Sequence, residues 1–235
     1  MKKLLLIPLL LSSLANAKTL IVAVIDSGID KRLPHLCKMG HKSFISSSWY
    51  TSDDPNTDTM GHGTHVAGLI NRNAGNTDYC LVSLKYYDPR AANTDSFNSM
   101  LAAIKYAINI KVDVINISAG GGNFNKEEYD AIELALNNHI LVVAAAGNEH
   151  TNLDAKCDYF PACYDKRVIM VGNLNRFARR APSSNYGSRV NRWEIGTDCL
   201  SDMPEGKTGI MTGTSQATAI ATGKLIKTVL APKRN

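Results

Sequence analysis

Residues 20–28 read Leu20-Ile21-Val22-Ala23-Val24-Ile25-Asp26-Ser27-Gly28, LIVAVIDSG. The first six are apolar without a break and rich in β-branched side chains. A strand with one wet face would alternate apolar and polar residues. An unbroken run of this length reads instead as a strand buried on both faces. It ends in a carboxylate, and Gly28 allows a sharp turn behind it. The same type of run recurs at Leu81 to Tyr87, Val112 to Ile117, Leu141 to Ala145 and Val168 to Val171. Helical spacing lies between the runs. Phe97, Met100, Leu101, Ile104 and Ile108 mark one apolar face, and Tyr129, Ile132 and Leu136 another. This alternation predicts an α/β fold, a mostly parallel central sheet flanked by helices on both faces.

The chain has 235 residues, 44% hydrophobic and 20% charged, enough for one sizeable domain with a packed core. Its start reads differently. Met1-Lys2-Lys3 is basic, Leu4 to Leu11 is apolar, and Ala15-Asn16-Ala17 has the small-x-small form of a cleavage site. Residues 1–17 therefore read as a secretory signal peptide, and residues 18–235 as the mature domain, secreted or periplasmic. No later stretch is apolar for the roughly 18 residues of a membrane span. The formal charge of +5 falls further once Lys2 and Lys3 leave, which gives no reason to expect a nucleic-acid partner. Arg176, Arg179, Arg180, Arg189 and Arg192 read as a solvated surface cluster.

Export permits disulfides. Of Cys37, Cys80, Cys157, Cys163 and Cys199, the odd count leaves at least one unpaired within the chain. Cys157 with Cys163 is the favoured pair and Cys37 with Cys80 the second, though sequence alone fixes neither. No Cys/His spacing suggests zinc.

In parallel sheets functional groups gather beyond the carboxyl ends of the strands. Those ends carry Asp26-Ser27-Gly28, Ser118-Ala119-Gly120 and Ala146-Gly147-Asn148, and a late apolar pair, Ile210-Met211, leads into Gly213-Thr214-Ser215. A helix start carries Gly61-His62-Gly63-Thr64-His65. An imidazole can take a proton from a hydroxyl when a carboxylate holds it in the right tautomer. Asp26, His62 and Ser215 supply those three groups. Ser215 at a helix N-terminus has free N–H groups nearby. The Asn148 amide is the kind of donor that stabilises an oxyanion, with the Ser215 backbone N–H as the second.

VIDSGID (24–30), GHGTHVAG (61–68), AAAGN (144–148) and GTSQATAIATG (213–223) occur in the order acid, base, oxyanion donor, nucleophile. With VDVINIS (112–118), YFPACYDKRVIMVG (159–172) and SSNYG (183–187), the chain from about Leu20 to Leu230 resembles the subtilisin-like serine proteases, or subtilases. The resemblance implies a three-layer subtilisin-like fold and hydrolysis of peptide bonds in peptide or protein substrates. It implies that Ser215 attacks, His62 is the general base, Asp26 orients it, and Asn148 with Ser215 N–H holds the oxyanion. It also implies that Ser118-Ala119-Gly120 pairs with the substrate backbone, with Ala145, Ala146 and Gly147 walling the pocket before the cut. The small residues there suggest an open pocket with broad, somewhat apolar selection.

The chemistry calls for no cofactor. Family members often bind calcium, but the acidic loop Asp53, Asp54 and Asp58 lacks an EF-hand spacing and reads as solvated, so no metal ligand is assigned. His65 reads as packing support. Asn116-Ile117-Ser118 matches a glycosylation sequon inside a predicted buried strand and is discarded. Only residues 18–25 separate the predicted cleavage site from Asp26, so the reading expects unaided folding or a separately supplied inhibitor or folding helper. Gln216 and Ala219 depart from the family's usual Met and Pro. These departures keep a rival, a catalytically silent peptide-binding module. An α/β-hydrolase esterase is disfavoured by motif order and by Ala217 where its elbow needs Gly.

Overall fold

The computed structural model describes residues 18–45, 54–91 and 95–230. The expected signal segment, 1–17, and Asp53 lie outside them. In chain order the elements are β1 (Leu20–Asp26), β2 (Lys42–Ser43), α1 (His62–Ala74), β3 (Tyr79–Lys85), α2 (Ser96–Asn109), β4 (Val114–Ile117), α3 (Lys126–Asn137), β5 (Leu141–Ala145), β6 (Ile169–Leu174), β7 (Arg192–Ile195), β8 (Cys199–Met203), β9 (Lys207–Met211) and α4 (Thr214–Leu225). A π-helical segment, Ile226–Leu230, follows α4.

Seven strands form one parallel sheet in the order β2-β3-β1-β4-β5-β6-β7. β1 lies in the interior of the sheet, between β3 and β4, which explains the opening run. Its side chains alternate between two cores, and both are dry. Ala23 and Ile25 face a layer with α2 and α3, where Leu101, Ile104 and Ile132 pack. Val22 and Val24 face α1 and α4, with Val66, Ile70, Ala217 and Ala221. Each fully buried Ile or Val of this kind contributes about 1.5–3 kcal/mol relative to exposure. The result is an α/β three-layer fold.

The late apolar pair Ile210-Met211 belongs to a different structure. It closes β9, which pairs antiparallel with β8 in a separate two-stranded sheet. That hairpin crosses the outer side of α1. The buried His65 ring joins them, its Nε2 donating to the carbonyls of Cys199 at 2.9 Å and Gly209 at 3.2 Å. Ser201 Oγ donates to the His65 carbonyl at 2.8 Å. Burial pushes the His65 pKa down, against those two carbonyl bonds.

Cys37–Cys80 and Cys157–Cys163 are disulfides, and Cys199 is free. Burial raises the Cys199 thiol to about 11. Among the described residues no helix is long and apolar enough to cross a membrane.

Candidate active site

Asp26 is the last residue of β1 and His62 the first of α1. His62 Nδ1 donates to Asp26 Oδ1 at 2.8 Å. The carboxylate can only accept there, which assigns the proton to Nδ1 and leaves Nε2 as the basic nitrogen. The same oxygen accepts from Ser27 N at 2.7 Å, while the buried Oδ2 has no partner among the described residues. The His62 side chain is 21% exposed against 5% for Asp26. Burial opposes charge on the ring, but the attraction and hydrogen bond of Asp26, aided by Asp58, prevail and raise the His62 pKa.

The start of α1 is built around Asp58. Its Oδ1 accepts from Ser27 Oγ, Met60 N and Gly61 N, and its Oδ2 from Thr64 N and Thr64 Oγ1, at 2.6–3.1 Å. Ser27 Oγ in turn accepts from Gly63 N at 3.0 Å. Asp58 is thus a buried carboxylate satisfying the free N–H groups of a helix start, not a solvated loop residue as its acidic neighbours suggested. With those donors on its two oxygens it does not fit a cation ligand. Gly63 is fixed by space: a Cβ would lie 2.1 Å from the Gly28 carbonyl oxygen and 3.1 Å from Asp26 Cβ. Lys85, also buried, steadies the preceding segment by donating to Thr57 O at 2.8 Å and pairing with Asp88 at 3.0 Å.

Ser215 is the second residue of α4. Its hydroxyl donates to the Ser118 carbonyl at 2.8 Å, and Ser118 Oγ donates to the Ser215 carbonyl at 3.1 Å. No hydrogen bond joins Ser215 to His62 among the described residues. Ser118, which is bonded to Ser215 in both directions, lines a cavity of about 200 Å³ together with Asp26, His62 and Ala119. Ser118 is anchored from below. Asn116 Nδ2 donates to its Oγ at 3.0 Å, and Asn116 Oδ1 accepts from Thr222 Oγ1 at 2.8 Å. Asn116 and Thr222 are fully buried. Gln216 is buried too, its amide 3.8 Å from Met211 Sδ.

Asn148 follows β5. Its Oδ1 accepts from Thr214 N at 2.9 Å and Thr214 Oγ1 at 3.2 Å, so the amide is oriented and its N–H group is left to donate elsewhere. Gly147 has φ +100°, and a Cβ there would lie 2.3 Å from Asn185 Nδ2. Asn185 is a residue that reading the sequence missed as a functional group. Its Nδ2 donates to Ala146 O at 2.8 Å and Glu149 Oε2 at 2.7 Å, and its Oδ1 accepts from Glu149 N and Thr151 N. Its place in SSNYG was the available signal.

Ala145 and Ala146 are buried, and Gly120 is exposed at the rim. A cavity of about 220 Å³ opens beside Asn185, with Gly120, Glu149, Asp158 and Tyr159 among its walls. It is more acidic than the small residues of β5 implied. Among the described residues no group of three or more His, Cys, Asp or Glu side chains is gathered as a metal site would require.

The arrangement is an α/β scaffold with a carboxylate–imidazole pair at one cavity and, bonded to that cavity's Ser118, a serine at a helix start. The Peptidase_S8 family model, described as the subtilase family, matches residues 17–231. The chain is 34% identical over 209 residues to subtilisin amylosacchariticus of Bacillus subtilis subsp. amylosacchariticus, covering 86% of this chain and 53% of that protein. It is 32% identical over 224 residues to the major intracellular serine protease of Bacillus subtilis (strain 168), covering 89% and 68%. The crystal structure of a cold adapted subtilisin-like serine proteinase superposes with a TM-score of 0.71 at 25% identity, over 87% of this chain and 72% of that one. The chain therefore belongs to the subtilase family. It spans about half the length of the subtilisin named first.

Proposed function

We propose that the protein is a secreted or periplasmic serine endopeptidase working through an acyl-enzyme. The observation that carries this is the 2.8 Å bond from His62 Nδ1 to Asp26, which leaves Nε2 as the basic nitrogen beside a cavity shared with Ser118, the residue bonded to Ser215. The Ser215 hydroxyl leaves the Ser118 carbonyl, gives its proton to His62 Nε2, and its oxygen bonds to the scissile carbonyl carbon. Asp26 steadies the imidazolium so formed. Asn148 Nδ2 and Ser215 N–H donate to the oxyanion. His62 then protonates the departing amine as the C–N bond breaks. Water, deprotonated by His62, releases the acyl group and restores Ser215. The acyl side of the substrate lies along Ser118-Ala119-Gly120 as an added strand, and its residue next to the cut enters the cavity lined by Glu149 and Asn185.

Export rests on the leader-like residues 1–17 and on two disulfides, which an oxidising compartment favours. N-terminal sequencing of protein recovered outside the cytoplasm should begin near Lys18.

A fluorophosphonate probe should label the purified protein and not Ser215→Ala. The present bond from Ser215 to the Ser118 carbonyl, rather than to His62, favours the second reading, a silent peptide-binding module. Folded wild-type protein that takes up no label would select it.

A further inference from the structure

A second cavity of about 210 Å³ lies beyond the catalytic rim, walled by Tyr86, Phe97, Met100 and Phe160 and bordered by Gly120 and Gly121. Gly120 and Gly121 also border the cavity lined by Glu149 and Asn185, so the two cavities flank one segment of chain. Gly121 is held in that segment by paired bonds with Phe160, at 2.9 and 2.7 Å. Glu128 also lines this second, largely apolar cavity.

Glu128 sits in the first turn of α3 and is 4% exposed. Its Oε2 accepts from Tyr164 OH at 2.7 Å. Among the described residues no lysine, arginine or histidine forms an ion pair with it; the neighbouring Glu127 takes Lys105 instead. Burial raises the Glu128 pKa, and the Tyr164 bond only partly opposes this. A buried carboxylate facing a cavity without a cation is costly, and an incoming ammonium or guanidinium would relieve that cost. The aromatic and Met walls suit the methylene stem of such a side chain, whose charged end reaches the carboxylate.

We propose that this cavity selects a lysine or arginine side chain of the substrate, on the acyl side of the cut and beyond the residue nearest the bond. The proposal rests on the peptidase reading above and names part of its substrate class.

The test uses the mature protein and peptides in which each of the four positions before the cut is in turn Lys, Arg or norleucine. At one position beyond the first, kcat/KM for Lys or Arg should exceed norleucine by roughly tenfold or more. In Glu128→Gln, which keeps an acceptor for Tyr164, that ratio should fall close to one. In Tyr164→Phe, which keeps the charge, it should persist. Equal rates for Lys and norleucine at every position in the wild type would overturn the proposal, as would an unchanged ratio in Glu128→Gln.

Binding of the same peptides to Ser215→Ala, followed by fluorescence anisotropy, reads the preference without chemistry. Lack of fluorophosphonate labelling with a retained lysine preference would sink the peptidase reading alone. Labelling without any preference would sink this one alone.

Discussion

Asn185 lies 39 residues beyond Ala146 in the chain, yet its side-chain amide donates to the Ala146 carbonyl at 2.8 Å. The same amide spans Glu149 and Thr151, so one side chain staples the turn that presents Asn148. Asn185→Ala should therefore lower kcat by roughly ten- to a hundredfold while KM moves less, because the loss falls on transition-state stabilisation. A matched fall in stability with kcat unchanged would show the staple to be structural only.

The Asp26–His62 bond sets a pH dependence. The general base must be neutral, and the His62 pKa is raised, so kcat/KM should climb with pH through a pKa above the ordinary histidine value. Asp26→Asn should cost about ten-thousandfold in kcat. Stability runs the other way. A raised histidine pKa means the pair's contribution is fully present below the unfolded pKa and is lost as pH rises through the folded one. Activity profiles beside unfolding midpoints, for wild type and Asp26→Asn, separate the two trends.

Gly63→Ala introduces a methyl that would lie 2.1 Å from the Gly28 carbonyl oxygen. Backbone must shift, at about 1–3 kcal/mol, and the shift falls between His62 and Asp26. Thermal unfolding should drop accordingly, and activity should fall further than the unfolded fraction explains. Wild-type activity in a folded Gly63→Ala protein would contradict the packing described.

The Cys37–Cys80 disulfide closes a separation of 43 residues, and Cys157–Cys163 one of 6. Loop entropy gives the longer one the larger effect, about 4 kcal/mol. The double replacement Cys37→Ser with Cys80→Ser should lower the denaturation midpoint more than the corresponding change at Cys157 and Cys163. Equal effects would argue against the loop-length account.

How much of this could be read from the chain depends on how local each signal is. The apolar runs of β1, β3, β4, β5 and β6 announce themselves because strands covered on both faces need no polar residue. β2 is two residues long and β7 reads Arg-Trp-Glu-Ile, so neither carries that mark. β9 looked like the end of another central strand because Ile210-Met211 precedes the serine. Its pairing with β8 rests on backbone bonds that no side-chain pattern records. The motif residues Asp26, His62, Asn148 and Ser215 stood out by type and order. Their supports did not. Asn116 meets Thr222 across 106 positions, and Asp58 looked solvated until the helix start it serves was in place.

His62 and Ser215 ride on α1 and α4, on one side of the sheet, whereas Phe97, Met100 and Glu128 come from α2 and α3 on the other. On the proposed reading, bond breaking and the choice of flanking side chains thus rest on opposite layers of the fold. Under that reading, substitutions in α2 and α3 would retune which peptides are accepted while leaving the cutting residues in place, so new diets would evolve without reinventing the blade.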